Sequence, residues 1–293
     1  MSTDNAAECA VSPCAEEKEA AVEALKNMGV EVDDNTPAET PCGVDSTRGL
    51  KPIEAMYESH LPIGETEDGK HCWSQLCGSV FKVRGKNYLK DKKKFHSEPS
   101  FLRCVGVELL VSDKDTEHLC ERPDSFVNRA VKNGSKDFFF VYNIMIKGPK
   151  DCKSLISYYT VPSTLKETDP LSYRLFETMK TQGDDYINPH LKLIPGIYSG
   201  PWMVKKAVGN TPAIVGNKLR QVSYQGSNYL EVVLDVSSDK VAKTICGLAI
   251  NSAKALVVDI GLVIEGQKEE DLPEHILGAY RLIHPHLEQC AKI

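Results

Sequence analysis

A dense run of cations is the feature of this sequence with the most pronounced chemistry. Seven basic residues fall within residues 82–94, and Asp91 is the one acidic residue among them. Three aromatic residues, Phe81, Tyr88 and Phe95, are interleaved with the run. Lysines beside aromatic rings suit anionic lipid headgroups, at about 1 kcal/mol for each charge near such a surface. The predicted membrane-surface residues are Lys82, Arg84, Lys86, Lys90, Lys92, Lys93 and Lys94.

The basic run also has other interpretations. Nucleic-acid phosphates attract clustered lysines, but no nucleic-acid-binding motif accompanies the run, so no nucleic-acid partner is expected. A solvated loop whose lysines keep a strand edge soluble has the same composition. A protein partner, including the acidic N-terminal part of the chain itself, is a further alternative.

A second segment, residues 193–212, joins two Gly-Pro or Pro-Gly pairs to Trp202, Lys205 and Lys206. An aromatic ring next to lysines is typical of a membrane interface. The alternative, which the sequence alone favours, is that Trp202 and Val204 fill the core. Aromatic bulk in probable strands also selects candidate residues for a ligand pocket, with core packing as the competing role for most: Trp73, Tyr142, Tyr158, Trp202 and Tyr229.

Motifs of catalysis and of metal binding are missing from the chain. It contains no GxxxxGK[ST], no GxSxG and no GxGxxG, so we expect no enzyme activity. His284 and His286 flank Pro285 without a third ligand nearby, and the ten cysteines form no CxxC pair. A zinc site would require closely spaced pairs of ligands, so we expect no metal or other cofactor. The cysteines are predicted to be reduced thiols, several of them buried.

Charge divides the chain into two parts. Residues 1–49 carry eleven acidic and three basic residues, a balance of −8, which leaves about +2 of the net −6 for the remainder. An acidic segment with few aromatic residues is typical of disorder. We therefore predict a disordered leader over residues 1–50 and a single domain over residues 51–293. Neither a secretory signal nor a long apolar span is present, so a cytoplasmic protein, peripheral at membranes, is expected.

The elements that must position these residues alternate between paired strands and inserted helices. Asp169-Pro170 opens a helix that Gly183 ends, and the Asp184-Asp185 pair beyond it is predicted to be a solvated turn. The Gly148-Pro149 turn pairs two strands. Strands are predicted at 101–111, 136–147, 154–161, 218–224 and 229–236, and helices at 123–133, 169–179 and 239–252.

This pattern predicts an α+β fold with a mainly antiparallel, curved sheet, because the regular strand–helix–strand repeat of a parallel sheet is missing. The helix at 239–252 carries its apolar residues on one face. Packed on a curved sheet, such a helix encloses an apolar cavity. The preferred arrangement is therefore a START-like helix grip.

Several separated motifs carry a family resemblance: Trp73, residues 80–89 (VFKVRGKNYL), 200–212 (GPWMVKKAVGNTP), 226–232 (GSNYLEV), 258–259 (VD), 264–266 (IEG) and 272–274 (LPE). In this order they resemble the C-terminal domain family of the plant protein enhanced disease resistance 2, over roughly residues 70–285. In those plant proteins the domain follows a phosphoinositide-binding pleckstrin-homology domain and a lipid-binding START domain. This chain is expected to lack both. The domain is one of unknown function, so the resemblance implies a lipid context but no catalytic residue.

The residues and the resemblance together predict a non-catalytic binding protein for a lipid or another hydrophobic ligand, acting at or near membranes. The alternative is a protein-interaction module in membrane traffic or stress signalling, without a small ligand. An apolar pocket beneath the helix at 239–252 supports the first hypothesis. A filled interior and a large exposed apolar patch support the second.

Overall fold

A computed structural model describes residues 53–64 and 69–293 of the chain. The predicted leader, residues 1–50, lies outside these described residues. The strands are β1 Cys72–Gln75, β2 Lys82–Arg84, β3 Lys94–His96, β4 Arg103–Ser112, β5 Phe139–Lys147, β6 Cys152–Thr160, β7 Leu191–Ser199, β8 Ala213–Ile214, β9 Arg220–Gln225, β10 Tyr229–Asp235, β11 Val257–Ile264, β12 Ile276–Ile283 and β13 Ala291–Lys292. The α-helices are α1 Tyr88–Asp91, α2 Phe126–Lys132, α3 Leu165–Thr168, α4 Pro170–Gln182, α5 Asp184–His190, α6 Trp202–Val208 and α7 Lys240–Asn251.

The strands form two large sheets and one small hairpin. The first sheet has five strands in the order β1-β12-β11-β7-β8, and all its pairings are antiparallel. The second has six strands in the order β13-β4-β6-β5-β10-β9, of which the β13–β4 and β10–β5 pairs are parallel. Strands β2 and β3 form the hairpin. The predicted α+β class with mainly antiparallel strands is confirmed.

Side-chain caps fix where the three longer predicted helices begin. Ser125 Oγ accepts a hydrogen bond from Asn128 N before α2, and Asp169 does the same for Ser172 N before α4. Asp239 caps α7 in the same way. An N-cap oxygen satisfies one of the free N–H groups of the first turn. The caps Asp169 and Asp239 are among the signals from which α4 and α7 were predicted, whereas α2 was predicted to open at Pro123-Asp124 and begins instead after Ser125.

Apolar side chains fill three layers around the two sheets. The main core lies between the sheets and includes residues of both, such as Phe140 from β5 and Leu262 from β11, together with Phe176 from α4. A second core lies on the other face of the six-stranded sheet, beneath α2. A third lies on the outer face of the five-stranded sheet, where Phe81, just before the hairpin, and Val83 of β2 cover it.

Helix α7 covers the interior less deeply than the sequence suggests. Ala242 and Cys246 contact the main core, and Ala249 contacts a small cluster beside it. No residue of α7 is fully buried. The helix therefore packs through small side chains and leaves its larger apolar residues partly exposed. The START-like grip around a cavity stays a prediction.

Candidate functional site

The basic run forms a hairpin that stands out from the five-stranded sheet. Val83 of β2 lies opposite Phe95 of β3, and α1 makes the connection between the two strands. All three residues of β3 are exposed, including Phe95 at 58%. Successive strand residues point to opposite sides, so both sides of β3 face solvent. We call residues 82–96 the basic hairpin. Its exposed lysines are Lys82, Lys86, Lys90, Lys92, Lys93 and Lys94.

One cation of the run has a different environment. Arg84 turns towards the body of the protein, where its Nη2 lies 2.9 Å from Glu265 Oε2 and its Nε lies 3.7 Å from Glu274 Oε1. Its backbone N–H also donates to Glu274 Oε2 at 3.0 Å. Arg84 thus attaches the hairpin to the sheet and is placed for a structural role, unlike the six exposed lysines.

The anchor of the hairpin is a buried ion network. Lys192, only 5% exposed, donates to Glu274 Oε1 at 2.6 Å and lies 3.4 Å from Glu265 Oε2. The backbone N–H of Gly266 donates to the same Glu274 oxygen at 3.1 Å. Buried charges are tolerated when partners and hydrogen bonds surround them. Here two cations face two carboxylates, so the charges of the network balance.

Two aromatic contacts shape the hairpin. The Arg84 guanidinium lies 4.7 Å from the centre of the Tyr88 ring, and Lys92 Nζ lies 5.5 Å from it. A Cβ atom on Gly85 would meet the Phe95 ring at 2.5 Å. Gly85 therefore lets the Phe95 ring lie against the backbone of the hairpin, while more than half of that side chain still faces solvent.

The predicted ligand-pocket residues do not converge on one space. Trp73 and Tyr142 belong to the core between the sheets, whereas Tyr158 and Tyr229 lie on the opposite face of the six-stranded sheet. All four are buried, and Trp202 is 68% exposed on α6. The Tyr158 hydroxyl donates to Glu108 at 2.8 Å, and the Tyr229 hydroxyl lies 2.8 Å from His118 Nε2. Burial raises the pKa of Tyr229 to about 12.

The preference for Trp202 as a core residue is corrected by its exposure. Val204, two positions later, is buried at 3% as expected. In a helix, residues two positions apart point to different sides, so the helical conformation of 202–208 turns the tryptophan outward when Val204 faces inward. Lys206 Nζ lies 5.2 Å from the centre of the Trp202 ring. No helix was predicted at α6, because Gly and Pro residues, which usually mark turns, lie on both sides of it.

A shallow depression of about 580 Å³ lies beside the basic hairpin, away from α7. Its charges are mixed, since Lys86 and Arg174 face Glu269 and Glu270. Lys90 of the hairpin pairs with Glu269 at 2.9 Å, and Arg174 pairs with Asp271 at 3.0 Å. The depression is neither an apolar cavity nor a concentrated anion site. The full lining is Lys86, Pro170, Leu171, Arg174, Glu269, Glu270 and Leu272.

A Ser, His and Asp group near the start of α4 lacks the geometry of a catalytic triad. His275 Nδ1 lies 2.7 Å from Asp169 Oδ2 and 3.4 Å from Ser172 Oγ, so both neighbours share one ring nitrogen. Its Nε2 faces the carbonyl oxygen of Pro99 at 2.5 Å. A triad needs the serine and the aspartate on opposite nitrogens. This group instead ties α4 to the strand β12.

Other polar candidates also have structural partners. Asp184 accepts hydrogen bonds from Ser223 N at 2.7 Å and from Ser223 Oγ at 2.6 Å, so it links α5 to β9 and is not part of a solvated turn. Within the described residues, no group of three or more His, Cys, Asp or Glu side chains is placed to hold a metal ion. The seven described cysteines are unpaired thiols, and five of them are buried.

Two buried carboxylates on the outer face of the six-stranded sheet were not predicted. Glu231 accepts the backbone N–H groups of Leu119 and Cys120 at 3.0 and 2.9 Å, and burial raises its pKa. Glu108 has stronger partners, with His60 Nδ1 and an Arg129 nitrogen each at 2.7 Å. Burial acts to raise the pKa of Glu108, but these two groups outweigh it and hold the pKa below its ordinary value of 4.5.

We expect the free energy of unfolding of the Glu108→Gln variant to change less between neutral and acidic pH than that of the unmodified protein. A lowered folded-state pKa means that the ionised carboxylate stabilises the fold above pH 4.5, and that this contribution is lost as pH falls through the folded value. At neutral pH the variant loses about 1–3 kcal/mol, because glutamine offers one acceptor oxygen in place of the two that Arg129 and the buried Tyr158 hydroxyl use. Urea unfolding at neutral and at acidic pH measures the difference in the free energy of unfolding between the variant and the unmodified protein. This difference should become smaller as the pH falls. The exposed Glu121→Gln is the control, and a difference that is constant with pH contradicts the prediction.

None of the helices within residues 53–64 and 69–293 combines the length and the hydrophobicity needed to cross a membrane.

The described part of the chain is an α+β protein in which a buried ion network holds an exposed basic hairpin against a five-stranded sheet. Comparison with known proteins identifies the same family as the sequence motifs, several of which form this site. The family model "Protein ENHANCED DISEASE RESISTANCE 2, C-terminal" matches residues 73–285, and the chain belongs to this family.

A curated relative shows the same relationship. The chain is 31% identical over 236 residues to a protein of Arabidopsis thaliana named "Protein ENHANCED DISEASE RESISTANCE 2-like". The match covers 80% of this chain and 32% of the relative, so the chain spans about a third of the relative's length. No solved structure matches the chain. Three of the motifs that carry the resemblance, residues 80–89, 264–266 and 272–274, meet at the ion network of Arg84, Glu265 and Glu274.

Proposed function

We propose that the protein is a non-catalytic module that binds the surface of anionic membranes through the basic hairpin. The observation that supports this function most is the exposure of β3, all three of whose residues, Lys94, Phe95 and His96, are exposed to solvent. A strand of this kind offers charges to headgroups and an aromatic ring to the interface.

The charge of the hairpin supports the same function. Residues 82–96 carry seven cations and one carboxylate, Asp91, a balance of +6. Arg84 and Lys90 have carboxylate partners in the body. Five exposed lysines remain for an external anion, at about 1 kcal/mol each near an anionic surface. Salt screens exposed charges over about 10 Å at 0.1 M, so the proposed association weakens as ionic strength rises.

Surface binding has more support than carriage of a lipid inside the protein. A carrier needs an enclosed apolar space, whereas four of the five candidate pocket residues pack in cores on two faces of one sheet. The one exposed member, Trp202, faces solvent. The proposed hydrophobic ligand is thus the bilayer itself, which the protein contacts at its surface and does not enclose.

Replacing Lys92, Lys93 and Lys94 together by alanine tests this function. Both the variant and its reference also carry Trp202→Ser, so that the exposed tryptophan cannot act as a second membrane anchor. We expect the affinity for vesicles of phosphatidylcholine and phosphatidylserine to fall roughly 100-fold, since three charges at about 1 kcal/mol each are removed. Co-sedimentation with the vesicles measures the affinity.

The matched control removes three exposed lysines elsewhere, Lys114, Lys132 and Lys136, which lie on the segment that covers the six-stranded sheet. This control has the same change in net charge and should bind nearly as well as the reference. If both triple variants lose affinity equally, overall charge and not the hairpin governs binding. If neither loses affinity, the proposed function is wrong.

A further inference from the structure

The basic hairpin has more cations than the described part of the protein neutralises. Arg84 and Lys90 are the two that pair with a carboxylate of the body. Like charges repel one another at short range, so an approaching carboxylate is favoured at this surface. Five exposed lysines of the hairpin lack a carboxylate partner within residues 53–64 and 69–293: Lys82, Lys86, Lys92, Lys93 and Lys94.

One ion pair shows that a carboxylate of the same chain can occupy a hairpin lysine without burial. Lys90 Nζ lies 2.9 Å from Glu269 Oε1, and the two side chains are 72% and 67% exposed. Glu269 is the first of three successive acidic residues. The pair therefore forms at the surface between an acidic run and the hairpin, and it leaves the other five lysines for a further partner of the same chemistry.

An acidic stretch precedes the described part of the chain. Residues 27–47 carry five acidic residues and no basic one, and we call them the acidic segment. They match the unpaired hairpin lysines in number, whereas residues 65–68 carry three acidic residues and residues 1–26 are partly balanced by Lys18 and Lys26. Complementary charge of this kind favours one partner over others. The acidic residues of the segment are Glu31, Asp33, Asp34, Glu39 and Asp45.

The described chain begins within reach of the hairpin. Glu54 accepts two hydrogen bonds from Arg103 Nη1, at 2.8 and 2.9 Å. Arg103 follows His96, the last residue of β3, by seven positions, which span at most about 25 Å. The fifteen positions from Glu39 to Glu54 can span up to about 50 Å. The acidic segment is thus long enough to contact the hairpin of its own molecule, and its tether raises its effective concentration there.

From these observations we infer that the acidic segment binds the basic hairpin of its own molecule and competes there with anionic membranes. The inference rests on the proposed function, because it concerns the same lysines, and it adds a control on their use. A strongly anionic bilayer offers many charges at once and displaces the segment, whereas a weakly anionic bilayer does not. The contact therefore restricts binding to membranes rich in anionic lipid.

Carbodiimide coupling of the full chain tests the contact itself. The reagent joins a carboxylate directly to a lysine that touches it, and peptide mass spectrometry locates the joined pair. Without vesicles, we expect coupling of the acidic segment to Lys92, Lys93 or Lys94. Vesicles rich in phosphatidylserine should abolish that coupling. Lys254 and Glu288, whose Nζ and Oε1 atoms lie 2.6 Å apart, are the internal control and should couple in both conditions.

Vesicle affinity tests the competition. The variant carries Glu31→Gln, Asp33→Asn, Asp34→Asn and Glu39→Gln, and both the variant and its reference carry Trp202→Ser as before. We expect the affinity for phosphatidylcholine vesicles with a small share of phosphatidylserine to rise roughly tenfold, since a contact present in about nine molecules of ten leaves a tenth of the hairpins free. The same four changes should raise the affinity less when Lys92, Lys93 and Lys94 are alanine.

The matched control makes the same change in net charge at four exposed acidic residues beyond the end of β4. Because β4 begins seven residues after the hairpin and spans nine steps, these residues lie about 30 Å further along that strand. The control should bind vesicles like the reference. Its substitutions are Asp113→Asn, Asp115→Asn, Glu121→Gln and Asp124→Asn.

The outcomes separate this inference from the proposed function. Absence of hairpin coupling beside a normal Lys254–Glu288 pair overturns the inference and leaves the proposed function unaffected. Coupling found only in dimers, or only to acidic residues outside residues 27–47, also overturns it, as does an equal rise in affinity for the matched control. Failure of the proposed function looks different, because the variant with Lys92, Lys93 and Lys94 replaced by alanine then binds vesicles as its reference does, whatever the coupling shows.

Discussion

Replacing Glu274 by glutamine is expected to lower the free energy of unfolding by about 3–5 kcal/mol, the usual cost of breaking a buried ion pair by removing one partner. Glu274 faces Lys192 at 2.6 Å and Arg84 at 3.7 Å. Its two oxygens also accept backbone N–H groups from Arg84 and Gly266. Glutamine keeps the shape of the side chain but has one acceptor oxygen and no charge, so the longer contact to Glu265 is the one ion pair of this network that Lys192 retains.

Urea unfolding at neutral pH measures this loss as a fall in the midpoint with an unchanged slope. Glu269→Gln is the matched control, because it makes the same chemical change at an exposed glutamate of the body that pairs with Lys90 of the same hairpin. The control should unfold like the unmodified protein. Equal stability of Glu274→Gln and the unmodified protein would contradict this prediction. It would mean that Glu265 alone is a sufficient partner for the two cations of the network.

The two tryptophans of the chain are expected to respond oppositely to substitution. Trp73 is 0% exposed in the core between the sheets, so Trp73→Ala should cost about 3–5 kcal/mol through lost burial and the cavity left behind. Trp202 is 68% exposed, so Trp202→Ala should change stability by less than about 0.5 kcal/mol.

Thermal and urea unfolding of both variants check this pair of predictions. Trp73→Phe is a useful companion, since it keeps much of the apolar volume and should lose less than Trp73→Ala. A large loss in Trp202→Ala would show that the ring packs against the protein in solution, contrary to its 68% exposure. Small losses in both would contradict the assignment of Trp73 to the core.

Local signals explain why several elements could be predicted. The Gly148-Pro149 turn correctly pairs β5 with β6, and Asp169-Pro170 and Gly183 correctly bound α4. Caps and turns depend on a few adjacent residues, so they are readable in one sequence. By contrast, β11 and β12 were not predicted as strands. They lie in the middle of their sheet, and their short apolar runs lack the alternation that identifies a strand.

The candidate sites were less predictable because their partners are distant along the chain. The cations at 82–94 predict a basic surface, but only the fold shows that Arg84 turns inward to Glu265 and Glu274. Lys192 and Glu274 are separated by 82 positions, and nothing local in the sequence pairs them. The exposure of Trp202 depends on the phase of a seven-residue helix that Gly and Pro conceal. The Glu residues inside the apolar strands β4 and β10 were the available signal for the buried carboxylates.

The way the hairpin is attached affects the entropy of any association it makes. Arg84, the ring of Phe95 against Gly85 and the pairing of β2 with β3 fix its backbone before a partner arrives. A segment that orders only on binding loses part of its interaction energy to that ordering, whereas a preorganised one does not. The hairpin therefore gives up mainly the rotamer freedom of its lysine side chains on docking, and changes at its base should alter affinity without touching a single exposed charge.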